Sequence, residues 1–256
     1  MRSLTFSFLK ISKYKTICYG VRRMISVEQL QPDTGLPRTK GDPNLVEILP
    51  SWPKDLEPDL REAVLRDMQV YPDFITEHEE ATMIAELEPQ LKRMRYEFDH
   101  WDNAIHGFRE TERSHWSEMS ERVLTRVKGQ AFSQLDAGKP LPHAHVLDLA
   151  AAGYIKPHVD AVRFCGEVIA GLCLLSSAVM HLEHTDNKDL CLNALLARRA
   201  LYIMRGTARY AFSHAVAGGA FGSRRVARGR RVAVICRSQP RAADASDASD
   251  PKYAKY

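Results

Sequence analysis

The 256-residue sequence is short of several features, and each shortage narrows its reading. None of its five cysteines forms a C-x-x-C pair, which speaks against zinc ribbons and thioredoxin-type chemistry. Cys18 lies near the start. Cys173 and Cys236 sit inside apolar runs and read as small core residues. Free thiols of this kind fit a reducing compartment. No apolar run approaches the roughly 20 residues of a membrane-spanning helix. The most apolar stretch, 168–175, is short and aliphatic and reads as a buried strand. No internal repeat is present. Residues 1–27 contain no acid at all.

That last absence relocates the charge. The net charge is +4, but residues 1–27 hold Arg2, Lys10, Lys13, Lys15, Arg22 and Arg23. Removing those six from 36 basic residues leaves 30 against 32 acidic ones, a body near −2. The leader is basic, hydroxyl-bearing (Ser3, Thr5, Ser7, Ser12, Thr16) and interleaved with Leu4, Phe6, Phe8, Leu9 and Ile11. This is the composition of a mitochondrial transit peptide, and a matrix location is expected. A disordered basic tail is the plainer reading. A near-neutral body lacks the basic face of a duplex-binding protein, so duplex DNA is not the expected partner.

Residues 28–69 read as a linker or extension without an assigned role, proline-bearing and with a short helix near 60–68. A folded domain is expected over 70–238, followed by a disordered Ala/Ser/Asp tail over 239–256. Thr76 and Glu79 have capping-box spacing ahead of Met83, Ile84, Leu87 and Leu91, which predicts a helix over 77–92. A second helix is expected over 114–132. Strand-like pieces then follow at 143–149, 154–160, 167–175, 178–184, 190–196, 200–205, 208–214 and 230–237. Helices followed by eight short strands predict an α+β fold with a double-stranded β-helix, or jelly-roll, core flanked by N-terminal helices.

The chemistry centres on 154–160. His158 and Asp160 are two apart, so an extended chain puts both on one face. A histidine and a carboxylate so placed are two-thirds of the 2-His-1-carboxylate set that holds non-haem Fe(II) with open positions. His214, ending a later strand, offers the third ligand. Arg231 and Arg237 are six apart on a β-branched strand and share a face.

The ordered set His158-x-Asp160, His214, Arg231 and Arg237 resembles the AlkB-type Fe(II)/2-oxoglutarate-dependent dioxygenases. The wording of 96–102, 105–112 and 153–160 is similar to a mitochondrial member of that family, and the likeness covers roughly 70–238. The resemblance implies Fe(II), 2-oxoglutarate and O2 as metal and co-substrates, with His158, Asp160 and His214 as ligands. It implies that Arg231 pairs with the distal carboxylate of 2-oxoglutarate, that Arg237 lies nearer the metal, and that Tyr202 hydrogen-bonds the co-substrate. It also implies a role in programmed necrosis and fatty-acid metabolism. One departure stands out: relatives that repair nucleic acids carry Asn-x-Tyr eleven and nine residues before the first ligand, where this chain has Leu147 and Leu149.

Three functions stay open. The first is hydroxylation of a protein or peptide side chain in the matrix. The second is demethylation of methylated bases in mitochondrial RNA. The third is a non-catalytic scaffold that keeps the barrel. A monomer without a membrane span is expected. Other candidates read more simply: His143 and His145, and His181 and His184, as structural histidines, and Trp101, His106 and Trp116 as core rather than pocket. The cluster Arg224, Arg225, Arg228 and Arg230 reads equally as a solvated loop or as a steering patch for an anion.

Overall fold

Strict alternation along the strands builds the molecule. A computed structural model describes residues 40–100, 103–133 and 138–240. The expected transit peptide, the tail from 241 onward and Trp101 lie outside the described residues.

The elements run β1 (Val46–Ile48), α1 (Pro58–Asp67), β2 (Met68–Tyr71), α2 (Glu77–Leu91), β3 (Ile105–Arg113), α3 (Glu118–Ala131) and β4 (Ala144–His158). They continue with β5 (Val168–Leu174), β6 (Ala178–His184), β7 (Cys191–Leu196), β8 (Leu201–Arg205), α4 (Gly206–Tyr210), β9 (Phe212–Ala217), β10 (Gly219–Phe221), β11 (Arg224–Val226) and β12 (Arg231–Arg237). Ten strands pair antiparallel in the order β1-β7-β6-β9-β4-β12-β5-β8-β2, with β3 also on β4. The long strand β4 joins the two halves of this sheet. Its first half pairs with β3 and β12, and its end pairs with β9.

Period-2 alternation separates two cores. Ile169 and Cys173 of β5, Tyr202 and Met204 of β8, and Ala233 and Ile235 of β12 join Leu182, Leu192 and Phe212 in an inner core. Their neighbours Val168, Ala170, Leu172, Leu201, Ile203, Val232, Val234 and Cys236 face the helices, against Met83, Leu87, Val123 and Val127. Strands covered on both faces read as continuous apolar runs, which explains the character of 168–175. Cys165, Cys173, Cys191 and Cys236 are buried free thiols.

Helix α2 begins with the expected capping box, Thr76 and Glu79 each bonding the other's backbone N–H. Its glutamates stitch it to its surroundings. Glu79 takes Arg126 at 2.7 Å, Glu86 takes Ser120 Oγ at 2.6 Å and Arg113 at 2.7 Å, and Glu88 takes Arg230 at 2.9 Å. Burial alone would raise the Glu79 and Glu86 carboxyls, but Arg126 and Thr76, and the serines and Arg113, outweigh it and hold both below the ordinary value. Their contribution to stability is therefore complete above the unfolded value of about 4.3 and is lost as pH falls through the lower folded value. The thermal midpoint of the wild type is expected to drop steadily below about pH 4, while Glu86→Gln starts lower at neutral pH and drops less. Parallel pH profiles for the two proteins would contradict this.

Three expectations need correction. The folded domain starts before residue 70: β1 pairs with β7, Trp52 is buried against Phe212 with ring centroids 6.0 Å apart, and α1 forms where a short helix was expected. The prolines of 46–69 break up the backbone without preventing burial of the side chains between them. The pieces 143–149 and 154–160 form one strand, bent by an irregularity at Gly107 where β3 crosses Gly153. The piece 208–214 opens with a helical turn, α4, before β9 begins. Between β9 and β12 the chain forms a further hairpin, β10 and β11.

Candidate active site

Strand pairing brings distant residues to one place. His158, the last residue of β4, lies directly opposite His214 of β9, with ring centroids 4.3 Å apart. Asp160 follows two residues beyond the strand end. Its Oδ1 lies 3.2 Å from His158 Nε2 and 3.7 Å from His214 Nε2. Donor atoms from all three residues lie within 4.8 Å of one another.

The hydrogen bonding suits a cation. His158 Nδ1 lies 2.9 Å from the Lys156 carbonyl, which only accepts, so Nδ1 carries a proton and Nε2 is the atom aimed at the other two residues. Burial, aided by His158, pushes the His214 imidazole down to about 3, so the ring is neutral and offers a lone pair. Burial would raise the Asp160 carboxyl, but Arg237 beside it and the His158 hydrogen bond hold it well below the usual range. The neutral His214 ring, Nε2 of His158 and the Asp160 carboxylate form a donor set that fits Fe(II).

A chamber of about 50 Å³ adjoins the trio. It is lined by His158, Asp160, His214, Tyr202, Arg231 and Arg237, together with apolar side chains that include Leu147. All six residues singled out in the sequence thus meet in one chamber. Arg231 is 2% exposed, its Nε meets no hydrogen-bond partner among the described residues, and its Nη2 lies 3.4 Å from the Cys173 thiol, a weak acceptor. A buried guanidinium with unmet donors suits a carboxylate ligand. Burial keeps the Tyr202 phenol protonated by raising it above its ordinary value.

Gly171 was missed in the sequence, where it is one residue in an apolar run. It pairs with Tyr202, and a Cβ there would lie 2.3 Å from the tyrosine ring. Gly171→Ala is expected to push the ring into the chamber and weaken 2-oxoglutarate binding about tenfold or more, in line with the roughly 1–3 kcal/mol typical of overpacking. A calorimetric titration reads this; unchanged affinity would show that the ring has room to move.

Several residues serve elsewhere. Arg230 forks onto Asp148 and Glu88, and Arg228 donates to the carbonyls of Ala150, Ala151 and Gly153. The basic cluster therefore spends two of its arginines on structure, while Arg224 and Arg225 stay exposed. His143 and His145 face separate glutamates, Glu112 and Glu110, rather than a common ion. His181, Glu183 and Cys191 also lie close together, but they are engaged with Asn193, the Lys188 ammonium and the Lys188 carbonyl respectively. His106 is not core: it stacks on Tyr154 beside exposed Phe98. Trp116 packs partly buried against the helical core.

No family model matches the chain. Among curated proteins, the mouse "alpha-ketoglutarate-dependent dioxygenase alkB homolog 7, mitochondrial" is 55% identical over 180 residues, covering 69% of this chain and 80% of the relative. The chain belongs to the AlkB family of dioxygenases. The bovine protein of the same name is 54% identical over 185 residues, 70% of this chain and 83% of its own. As an AlkB dioxygenase, the protein is an enzyme dependent on Fe(II), 2-oxoglutarate and O2. Superposition on the structure of OsALKBH1 gives a TM-score of 0.48 at 11% identity, over 67% of this chain and 98% of that one. A Pseudomonas putida prolyl-4-hydroxylase gives 0.47 at 11% identity, over 68% and 93%.

A second, larger cavity of about 600 Å³ opens on His158 and Asp160 from outside. Its lining includes His100, Asn103, Glu110, Glu112, His145, Lys156 and Phe164. His145, His158, Asp160 and Arg237 line both this cavity and the chamber. No residue of the connection 217–230 lines the larger cavity. The hairpin within that connection packs toward β6 and β7, and the Gly222 N–H donates to Glu47 of β1 at 2.7 Å.

Proposed function

We propose that this AlkB dioxygenase hydroxylates a side chain of a protein or peptide in the mitochondrial matrix. His158, Asp160 and His214 would hold Fe(II), and Arg231, Arg237 and Tyr202 would hold 2-oxoglutarate. When bound, metal and co-substrate supply the O2 chemistry, with 2-oxoglutarate leaving as succinate and CO2. The chain's own residues do the rest. Arg231 receives the distal carboxylate in an apolar wall that now includes Leu147. Tyr202 offers a neutral hydroxyl. The inner core excludes water from the chamber.

The observation that carries the substrate reading is the larger cavity. It opens directly beside the trio, and the hairpin between β9 and β12 leaves it uncovered. Such an opening accepts a chain running past the metal more readily than it grips an extruded base. The mitochondrial label of both relatives and the acid-free leader support the location.

The test supplies Fe(II), 2-oxoglutarate and O2 with a matrix protein extract, and in parallel with methylated mitochondrial RNA. A matrix protein that gains one oxygen atom in mass supports the proposal. Formaldehyde released from the RNA, with no oxidised protein, would replace it with the demethylase reading. Arg231→Ala is expected to raise the 2-oxoglutarate requirement roughly thirtyfold or more, the least expected when a buried charge pair loses one partner at about 2 kcal/mol. Unchanged half-saturation would remove Arg231 from the co-substrate site. Roles in programmed necrosis and fatty-acid metabolism belong to the same proposal, and cells carrying His158→Ala are expected to lose both.

A further inference from the structure

Arg237 stands where the two cavities meet, and its contacts run in two directions. Its Nε forms an ion pair with Asp160 Oδ2 at 3.4 Å, without a hydrogen bond, and its Nη1 lies 3.0 Å from His145 Nδ1. His145 Nε2 in turn lies 2.8 Å from Glu110 Oε2, and the other Glu110 oxygen lies 3.3 Å from His100 Nε2. A guanidinium only donates, so His145 Nδ1 has to accept. The ring proton is then on Nε2, where the Glu110 carboxylate receives it.

We infer that Glu110 and His145 form a positioning pair for the metal centre. Glu110 fixes the tautomer of His145, His145 anchors one end of Arg237, and Arg237 holds Oδ2 of Asp160 so that Oδ1 faces the two histidines. The inference rests on the proposed role of His158, Asp160 and His214 as metal ligands. The anchor is needed because Arg237 spans two cavities and has space on either side. Without an acceptor at its far end, the guanidinium would be free to turn away from Asp160. Register builds the device: His145 of β4 lies opposite Ile235 of β12 and Glu112 of β3, so Arg237 and Glu110, each two residues from those partners along its own strand, reach the ring from either side. His145 and Glu110 are not metal ligands in this assignment; they act on the metal centre through Arg237.

Two measurements on the full chain test it. Nitrogen-15 NMR of the histidine rings in the metal-free protein is expected to show His145, assigned by its loss in His145→Gln, as the Nε2–H tautomer. A proton on Nδ1 would overturn the inference. Co(II) titration then reads the consequence without turnover. His145→Leu and Glu110→Ala are expected to bind about 10–100-fold more weakly, the usual cost of losing an outer partner of a metal site. Glu110→Gln, whose amide oxygen still accepts from Nε2–H, is expected to stay within about threefold of wild type. Wild-type affinity in Glu110→Ala would sink the positioning role even if His145→Leu failed to fold. His158→Ala separates the two readings: Co(II) retained there means that the metal assignment has failed, whereas Co(II) lost there but kept in Glu110→Ala means that only the positioning pair has failed.

Discussion

Succinate formation is expected to disappear in His158→Ala, falling well beyond the 10–100-fold that loss of an outer partner costs. His158 is half of the β4–β9 contact that defines the centre, and its Nε2 lies 3.2 Å from Asp160. The Lys156 carbonyl already holds its other nitrogen, so Nε2 is the atom that the ring turns toward Asp160 and His214. Alanine leaves His214 and Asp160, a pair with no third corner. The fold should survive, because His158 lies at a strand end beside open space and outside both apolar cores. Asp160→Ala should be equally inactive but less stable, because it leaves the Arg237 guanidinium without its carboxylate. Measuring succinate and the thermal midpoint together separates loss of metal from loss of fold. Turnover in His158→Ala at even a tenth of the wild-type rate would remove this residue from the ligand set.

The largest stability loss is expected at Asp148→Ala. Asp148 is fully buried and accepts from Arg109 Nε at 2.7 Å, from Arg230 Nη2 at 2.8 Å and from the Tyr96 hydroxyl at 3.2 Å. Arg230 continues to Glu88 of α2, and Arg109 lies over the Tyr96 ring at 4.5 Å. The carboxylate thus ties together α2, β3, β4 and the start of β12. Removing it leaves Arg109 buried without its partner, a change that typically costs about 3–5 kcal/mol. Urea unfolding of the two proteins measures the difference, and a loss below about 1 kcal/mol would show that water replaces the carboxylate. Asp148→Leu combined with Arg109→Met should recover part of the loss, because a well-packed apolar pair removes the stranded charge. Arg230 sits in this network, one residue before Arg231, so the variant is also expected to weaken 2-oxoglutarate binding.

The sequence by itself determined the features that depend on neighbours along the chain. The His158-x-Asp160 spacing keeps two donors close along the chain, although Asp160 lies just past the end of β4, and the six-residue step from Arg231 to Arg237 puts both arginines on one face of β12 because strand side chains alternate. The capping box at Thr76 and the apolar run at 168–175 needed nothing more than local pattern. The short helix of 46–69 was legible, but its place in the domain was not, because its burial depends on β7, β8 and β9, all more than a hundred residues away. Only the tertiary structure decided which strands lie opposite one another. It set His158 against His214, put Gly171 under the Tyr202 ring, and turned His145 from half of an apparent His-x-His pair into an acceptor for Arg237, 92 residues away. Register is a property of two strands at once, and no pattern within one strand encodes its partner.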